Sequence, residues 1–164
     1  MRITHLEISD FRNISSATLD PGSGVNIIYG ANAQGKTNLL EAVWLCSGNR
    51  SFRGAREKEM TRFGTEAFHI RLSFADRERT QQISYDLVKG RDRKKILLNR
   101  MPLGAASDLN GEFTCVVFHP EDLSLVKDGP TERRAFLDIA ISQIKPVYAR
   151  YLSQYNGILE QIGR

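Results

Sequence analysis

The chain has little cysteine, little histidine and no long apolar run, and each shortage excludes a class of protein. Its two cysteines, Cys46 and Cys115, stand far apart in apolar stretches without metal-type spacing. They read as buried reduced thiols and not as a disulfide framework or a ligand set. Its three histidines, His5, His69 and His119, form no cluster in the sequence, so none is assigned a metal. No stretch approaches the roughly 20 apolar residues of a membrane-spanning helix, and Met1-Arg2-Ile3-Thr4-His5 lacks the apolar core of a secretory signal. A cytosolic protein with no membrane partner is expected. What remains is ordinary for a globular domain: 41% hydrophobic and 26% charged residues over 164 positions, enough to bury a core in one domain or a large part of one.

One stretch carries chemistry. Gly30-Ala31-Asn32-Ala33-Gln34-Gly35-Lys36-Thr37 matches the P-loop pattern G-x-x-x-x-G-K-[ST] at every fixed position. Before it runs the β-rich Val25-Asn26-Ile27-Ile28-Tyr29, and after it Thr37-Asn38-Leu39-Leu40-Glu41-Ala42-Val43-Trp44-Leu45, with apolar residues at helical spacing. This predicts a strand, a phosphate-binding loop and a helix. The glycines let the backbone curl with its N–H groups inward, and the helix adds the positive end of its dipole at the same point. Lys36 is expected to reach the β- and γ-phosphates of a nucleotide, and the Thr37 hydroxyl to join the shell of a Mg²⁺ ion that keeps most of its waters. A chance glycine turn before a helix explains Lys36 poorly, because a cation in the first turn works against the dipole unless an anion is bound.

Around the loop the pattern is that of a sheet followed by helices. Ile3, Leu6 and Ile8 precede Phe11-Arg12-Asn13, and residues 14–19 read as a second strand closed by Asp20-Pro21-Gly22. The P-loop helix is expected to stop near Gly48-Asn49. Phe68, Ile70, Leu72 and Phe74 then alternate with polar residues as a half-buried strand. A second strand follows at Ile83, Tyr85 and Leu87, and a third over residues 95–98. Asp76-Arg77-Glu78-Arg79 and Lys89-Gly90-Arg91-Asp92 turn between them, and Asn99-Arg100-Met101-Pro102 closes the third, giving an antiparallel meander. Phe113-Thr114-Cys115-Val116-Val117-Phe118 reads as a further buried strand. It runs into His119-Pro120-Glu121-Asp122, but a Walker B carboxylate usually follows its strand directly, and here His119-Pro120 intervene. Pro130 and Glu132 begin a helix whose apolar stripe is Phe136, Ile139, Ala140 and Ile144. Pro146 restarts a helix with Tyr148, Tyr151, Leu152, Tyr155, Ile158, Leu159 and Ile162 on one side, a stripe expected to be core. Residues 1–145 are assigned to a nucleotide-binding domain and 146–164 to the start of a helical arm or second lobe, with a longer protein expected beyond it.

The net charge of +4 is concentrated. Between residues 50 and 100, 14 Lys/Arg face 7 Asp/Glu, a net of +7, and the rest of the chain is net −3. Arg50, Arg53, Arg56, Lys58 and Arg62 form one group, and Arg91, Arg93, Lys94, Lys95 and Arg100 another. Such a segment suits nucleic-acid phosphates with strong salt dependence, or else a solvated face that keeps edge strands apart. Charge alone leaves both readings open.

Several blocks in fixed order carry a resemblance. Phe11-Arg12-Asn13, the P-loop continuing into Asn38-Leu39-Leu40-Glu41-Ala42, Arg50-Ser51-Phe52-Arg53, Phe118-His119-Pro120-Glu121-Asp122-Leu123 and Pro130-x-x-Arg133-Arg134-x-Phe136-Leu137-Asp138 resemble the bacterial RecF family along the whole chain. The resemblance implies an α/β P-loop NTPase, a head of the ABC-ATPase type related to SMC proteins. It has a first lobe with an antiparallel meander and C-terminal helices leading towards a second lobe. It implies ATP and Mg²⁺ as cofactors, ATP-dependent homodimerisation with each nucleotide sandwiched between two subunits, and a slow, DNA-stimulated ATPase in the full-length protein. It further implies binding to single- and double-stranded DNA and work with RecR and RecO in loading recombinase at gaps, with roles in recombinational repair, replication restart and the SOS response. By the same resemblance Arg12, Asn13 and Asn38 join residues 30–37 at the nucleotide and Arg53 approaches both nucleotide and DNA, while the concentrated basic charge of residues 50–100 makes Arg53, Arg56, Arg93, Lys94 and Lys95 the expected DNA contacts. The family's signature motif and true Walker B lie beyond the equivalent of Arg164, so this chain is expected to bind ATP without turning it over. The cassette glutamine has no match, and His119 stands about where it is expected.

Two other classes compete. A self-contained P-loop kinase or GTPase would use Asp122 as its metal carboxylate, although the Asn-Lys-x-Asp block of a GTPase is absent from the sequence. A DNA-binding module whose P-loop is only structural would keep the basic segment and bind no ATP.

Overall fold

Alternating apolar and polar residues build the body of the molecule. In the computed structural model, which describes residues 1–88, 93–119, 122 and 129–163, with Arg93 by its backbone, six strands form one antiparallel sheet. They are β1 (Arg2–Phe11), β2 (Ile14–Leu19), β3 (Ala67–Ala75), β4 (Thr80–Val88), β5 (Arg93–Leu98) and β6 (Met101–Pro102), in the order β2-β1-β3-β4-β5-β6. The expected turn Lys89-Gly90-Arg91-Asp92, the Pro120-Glu121 and Leu123 positions of the acidic block, and Arg164 lie outside the described residues. The register places Leu6 opposite Leu72, Ile70 opposite Tyr85 and Tyr85 opposite Ile96, so one face of the sheet is a continuous apolar surface. The turns follow their sequence signals. Asp76 accepts hydrogen bonds from the backbone N–H groups of Glu78 and Arg79, and Asn99 and Arg100 both take φ > 0 in the two-residue turn between β5 and β6.

The helix α1 (Lys36–Leu45) contributes to the core on that apolar face. Ala42, Leu45 and Cys46 are buried with Leu6, Ile8, Phe68 and Ile70, and the short 3₁₀ turns Glu57–Met60 and Ala106–Leu109 add Met60 and Leu109. Burial pushes both thiols, Cys46 and Cys115, above the usual thiol range, in keeping with free, unreactive cysteines.

Three expectations are corrected. Residues 25–29 form no strand: among the described residues none pairs with them, and Val25 is 93% exposed. Residues 113–118 form no strand either; Phe113 is buried, but Val116 is 90% exposed and Phe118 is largely so. A run of β-formers becomes a strand only where a neighbour completes its hydrogen bonds, and composition does not say whether that neighbour is present. Helices α2 (Pro130–Ile144) and α3 (Pro146–Ile162) do begin at their prolines, yet the α3 stripe expected to be core is open, and so is the end of the α2 stripe. Ile144, Tyr151, Tyr155, Ile158 and Ile162 are exposed, whereas Ser142 and Gln143 are buried. Periodicity identifies the face that would profit from cover and says nothing about what covers it.

Candidate functional site

The loop between residue 29 and α1 owes its shape to three positive φ angles: Gly30 at 149°, Ala33 at 64° and Gly35 at 95°. Gly35 is required twice over. Its φ is left-handed, and a Cβ there would come within 2.8 Å of Asn13 Oδ1 and 3.2 Å of Ile14 Cγ1. Immediately after it α1 begins, with Leu39 N–H donating to Gly35 C=O at 2.9 Å as the first helical bond. The amides ahead of Leu39 in the helix therefore have no intrahelical acceptor, and no acidic side chain stands in the first turn. Lys36 Nζ donates to the carbonyls of Gly30 at 2.8 Å and Ala31 at 2.6 Å, so the ammonium lies inside the bend. Unpaired amides, a helix N-terminus and an ammonium converge, and this arrangement can take a multiply charged oxyanion.

A divalent ion fits the donor set in one way. No group of three or more His, Cys, Asp or Glu among the described residues could hold a metal by itself. At the loop the available donor is the exposed Thr37 hydroxyl, which suits a Mg²⁺ held mainly by phosphate oxygens and water.

One wall of the site is a polar network that the sequence only partly announces. The β1–β2 turn presents Arg12 and Asn13. Asn13 Nδ2 donates to Ala33 C=O at 2.6 Å, and its Oδ1 accepts from Asn38 Nδ2 at 2.8 Å. Asn38 Oδ1 in turn accepts from Arg53 Nη1 at 2.7 Å. Beneath them Glu41 is completely buried. It takes a forked pair from Arg12, Nη2 at 2.8 Å and Nε at 3.0 Å, together with the Ser51 hydroxyl, and Arg53 stands 3.6 Å away. The sequence pointed to Arg12, Asn13, Asn38 and Arg53; it gave no role to Glu41 or Ser51. The available signal was Glu41's position four residues before the buried Leu45, on the inward stripe of α1. Arg12, Asn13, Asn38, Arg53, Lys58 and Thr61 line a groove of about 720 Å³ beside the loop.

The basic residues of β5 do not share one face of the sheet. Arg53 faces the groove, whereas the pleat separates Lys94 from Lys95. Lys94 sits opposite Leu87 and reaches Glu57 at 2.5 Å, over the ring of Tyr85; Lys95 sits opposite Asp86 and is exposed. Arg56 is exposed at the start of the Glu57–Met60 turn, and Arg93 enters β5 opposite Val88. Part of the segment's charge is neutralised in place, by Arg71 with Glu7 at 2.7 Å and Arg62 with Asp10 at 3.7 Å. A second, apolar cleft of about 750 Å³ is lined by Trp44, Phe52, Val116, Phe136 and Ile139 among others. There His119 stacks on Phe52 and meets Asp122 at 3.3 Å; Asp122 lines this cleft and not the groove beside the loop.

Known proteins place this geometry. The family model described as an AAA domain matches residues 5–145. The DNA replication and repair protein RecF of Clostridioides difficile (strain 630) is 43% identical over 164 residues, 100% of this chain and 44% of that protein. RecF of Thermoanaerobacter pseudethanolicus is 38% identical over 159 residues, 97% of this chain and 44% of its own. A solved structure described as the recombination mediator protein RecF-ATPrS in the RecFOR pathway superposes with a TM-score of 0.91 at 38% identity, covering 98% of this chain and 43% of that one. The SMC head domain from Thermotoga maritima, at 20% identity over 70% of this chain with a TM-score of 0.56, shares the fold. The chain spans a little under half the length of the relatives it matches. With a P-loop at the start of α1, an antiparallel sheet beside it and helices after it, the chain belongs to the AAA domain family, as a P-loop ATPase head whose relatives are RecF proteins.

Proposed function

We propose that this chain is the ATP-binding part of a RecF-like DNA repair protein, with residues 1–145 as the head and 146–164 as the start of a helical arm or second lobe. The observation that carries the proposal is the cradle at residues 30–37, where unpaired helix amides, two positive-φ glycines and the Lys36 ammonium meet. Solved relatives described as RecF with ATP and with ATPrS support ATP as the occupant. In this reading the ammonium leaves the Gly30 and Ala31 carbonyls for β- and γ-phosphate oxygens, the amides at the start of α1 hold phosphate oxygens, and Thr37 contributes its hydroxyl to Mg²⁺. Bound Mg²⁺ supplies charge neutralisation of the phosphates. The whole protein dimerises on ATP, hydrolyses it slowly with stimulation by DNA, binds single- and double-stranded DNA in the cytoplasm, and works with RecR and RecO at gaps in recombinational repair, replication restart and the SOS response.

Binding and turnover separate in this chain. A positioned water, a metal carboxylate and transition-state charge stabilisation are needed for hydrolysis, and Asp122 lies in the other cleft. The purified chain should bind Mg-ATP and release negligible phosphate over hours. Robust turnover abolished by Asp122→Asn would favour a self-contained kinase or GTPase instead.

DNA affinity is proposed to come from phosphate binding by Arg53, Arg56, Arg93, Lys94 and Lys95, since no element among the described residues resembles a recognition helix. Replacing Arg93, Lys94 and Lys95 together by Gln should weaken duplex binding and reduce the magnitude of the log-affinity against log-salt slope by roughly one unit for each phosphate no longer neutralised. Because Lys94 is engaged with Glu57, the expected reduction is nearer two units than three. An unchanged slope would make these residues a solvated face.

A further inference from the structure

We propose that Asn13 is a positioning residue of the phosphate loop: it holds the Ala33–Gln34 peptide so that the Gln34 N–H points into the cradle. The inference rests on the nucleotide reading of residues 30–37 and replaces a direct contact between Asn13 and the nucleotide. A trans peptide is planar, with its C=O and N–H on opposite sides. No cis peptide occurs among the described residues, so fixing the Ala33 carbonyl fixes the Gln34 N–H in the opposite direction. Asn13 Nδ2 grips that carbonyl at 2.6 Å from the β1–β2 turn. The Gln34 N–H therefore points away from the turn, towards the inner side of the bend that the Lys36 ammonium occupies.

Two further features fit a built clamp. Ala33 holds φ 64°, a left-handed conformation unfavourable for a residue with a Cβ, and so needs something to maintain it. The clamp is itself fixed. Asn38 Nδ2 donates to Asn13 Oδ1, which sets the amide's orientation, and Gly35 passes so close that a Cβ there would come within 2.8 Å of Asn13 Oδ1 and displace it. Asn13 is exposed and lies outside the apolar core, so its removal alters the loop without opening a cavity.

The test uses the 164-residue chain with two probes, Mg-ATP and inorganic tripolyphosphate, followed by calorimetry and by the Gln34 amide resonance. In the unsubstituted chain both probes bind and the Gln34 amide proton moves downfield on saturation. In Asn13→Ala the affinity for both should fall by the same factor, roughly tenfold for one charge-assisted donor, with the Gln34 shift abolished. The melting temperature without ligand should stay within a few degrees. Asn13→Gln, which retains the donor, should recover part of the affinity. If Asn13→Ala does not fold, Asn13→Leu, of nearly the same shape and without a donor, decides. Unchanged affinities with the Gln34 amide moving as before would overturn the inference, as would a loss confined to ATP, which would make Asn13 a nucleoside contact. Failure of the unsubstituted chain to bind either probe would bring down the nucleotide reading, and the inference with it.

Discussion

Lys36→Ala should remove nearly all ATP affinity while leaving the fold intact. The ammonium's partners are two carbonyls of the loop, Gly30 and Ala31, and it contributes nothing to the apolar core. Its removal costs the native state little. In the proposed nucleotide complex it is a mobile cation at the β- and γ-phosphates, and two charge-assisted bonds of about 1.5–3 kcal/mol each correspond to a loss on the order of 100-fold or more. Lys36→Arg should also impair binding, because a planar fork does not fit the space left for a point charge between two carbonyls. Titration with Mg-ATP, alongside a melting curve, checks both; an unchanged affinity in the alanine variant would rule out the loop as the nucleotide site.

The second large effect is on stability. Arg12→Ala should destabilise the chain by about 3–5 kcal/mol, because it leaves the fully buried Glu41 carboxylate without its forked partner. For a protein of this size that lowers Tm by on the order of 10 °C. Ser51 and the more distant Arg53 remain, which places the effect at the lower end of the range. Because the cost is mainly an orphaned charge, Arg12→Ala combined with Glu41→Leu should be markedly less destabilised than the two single effects added together. Chemical denaturation of the four proteins measures this. An Arg12→Ala loss below about 1 kcal/mol would mean that the carboxylate is compensated by something other than the network described.

The parts legible in the sequence are those whose signal is local. Residues 68–74 alternate because one side is water and the other is core, and the strand formed as its pattern predicts. The P-loop was legible because glycine, lysine and threonine each answer a separate physical demand at a fixed spacing. Residues 25–29 and 113–118 misled because a β-rich apolar run looks the same whether or not a neighbouring strand pairs with it. The stripe of α3 misled for a similar reason: Tyr151, Tyr155 and Ile158 share a face, but none of that face is buried. Glu41 was passed over because a glutamate in a helix ordinarily faces water, and only the three-dimensional approach of Arg12 from the β1–β2 turn and Ser51 from beyond the helix makes its burial tolerable. The basic segment was legible as charge but not as a surface, since the pleat of β5 sends Lys94 and Lys95 to opposite faces.

The central claim is that residues 30–37 and the start of α1 hold the triphosphate of a nucleotide. Mapping amide chemical shifts of the whole chain during a Mg-ATP titration tests it most directly. The expected result is a set of saturable changes that are largest at the amides of Gly30 to Asn38 and absent in Lys36→Ala. Largest changes in the cleft of Trp44 and Phe136, or no saturable change at millimolar ATP, would contradict it.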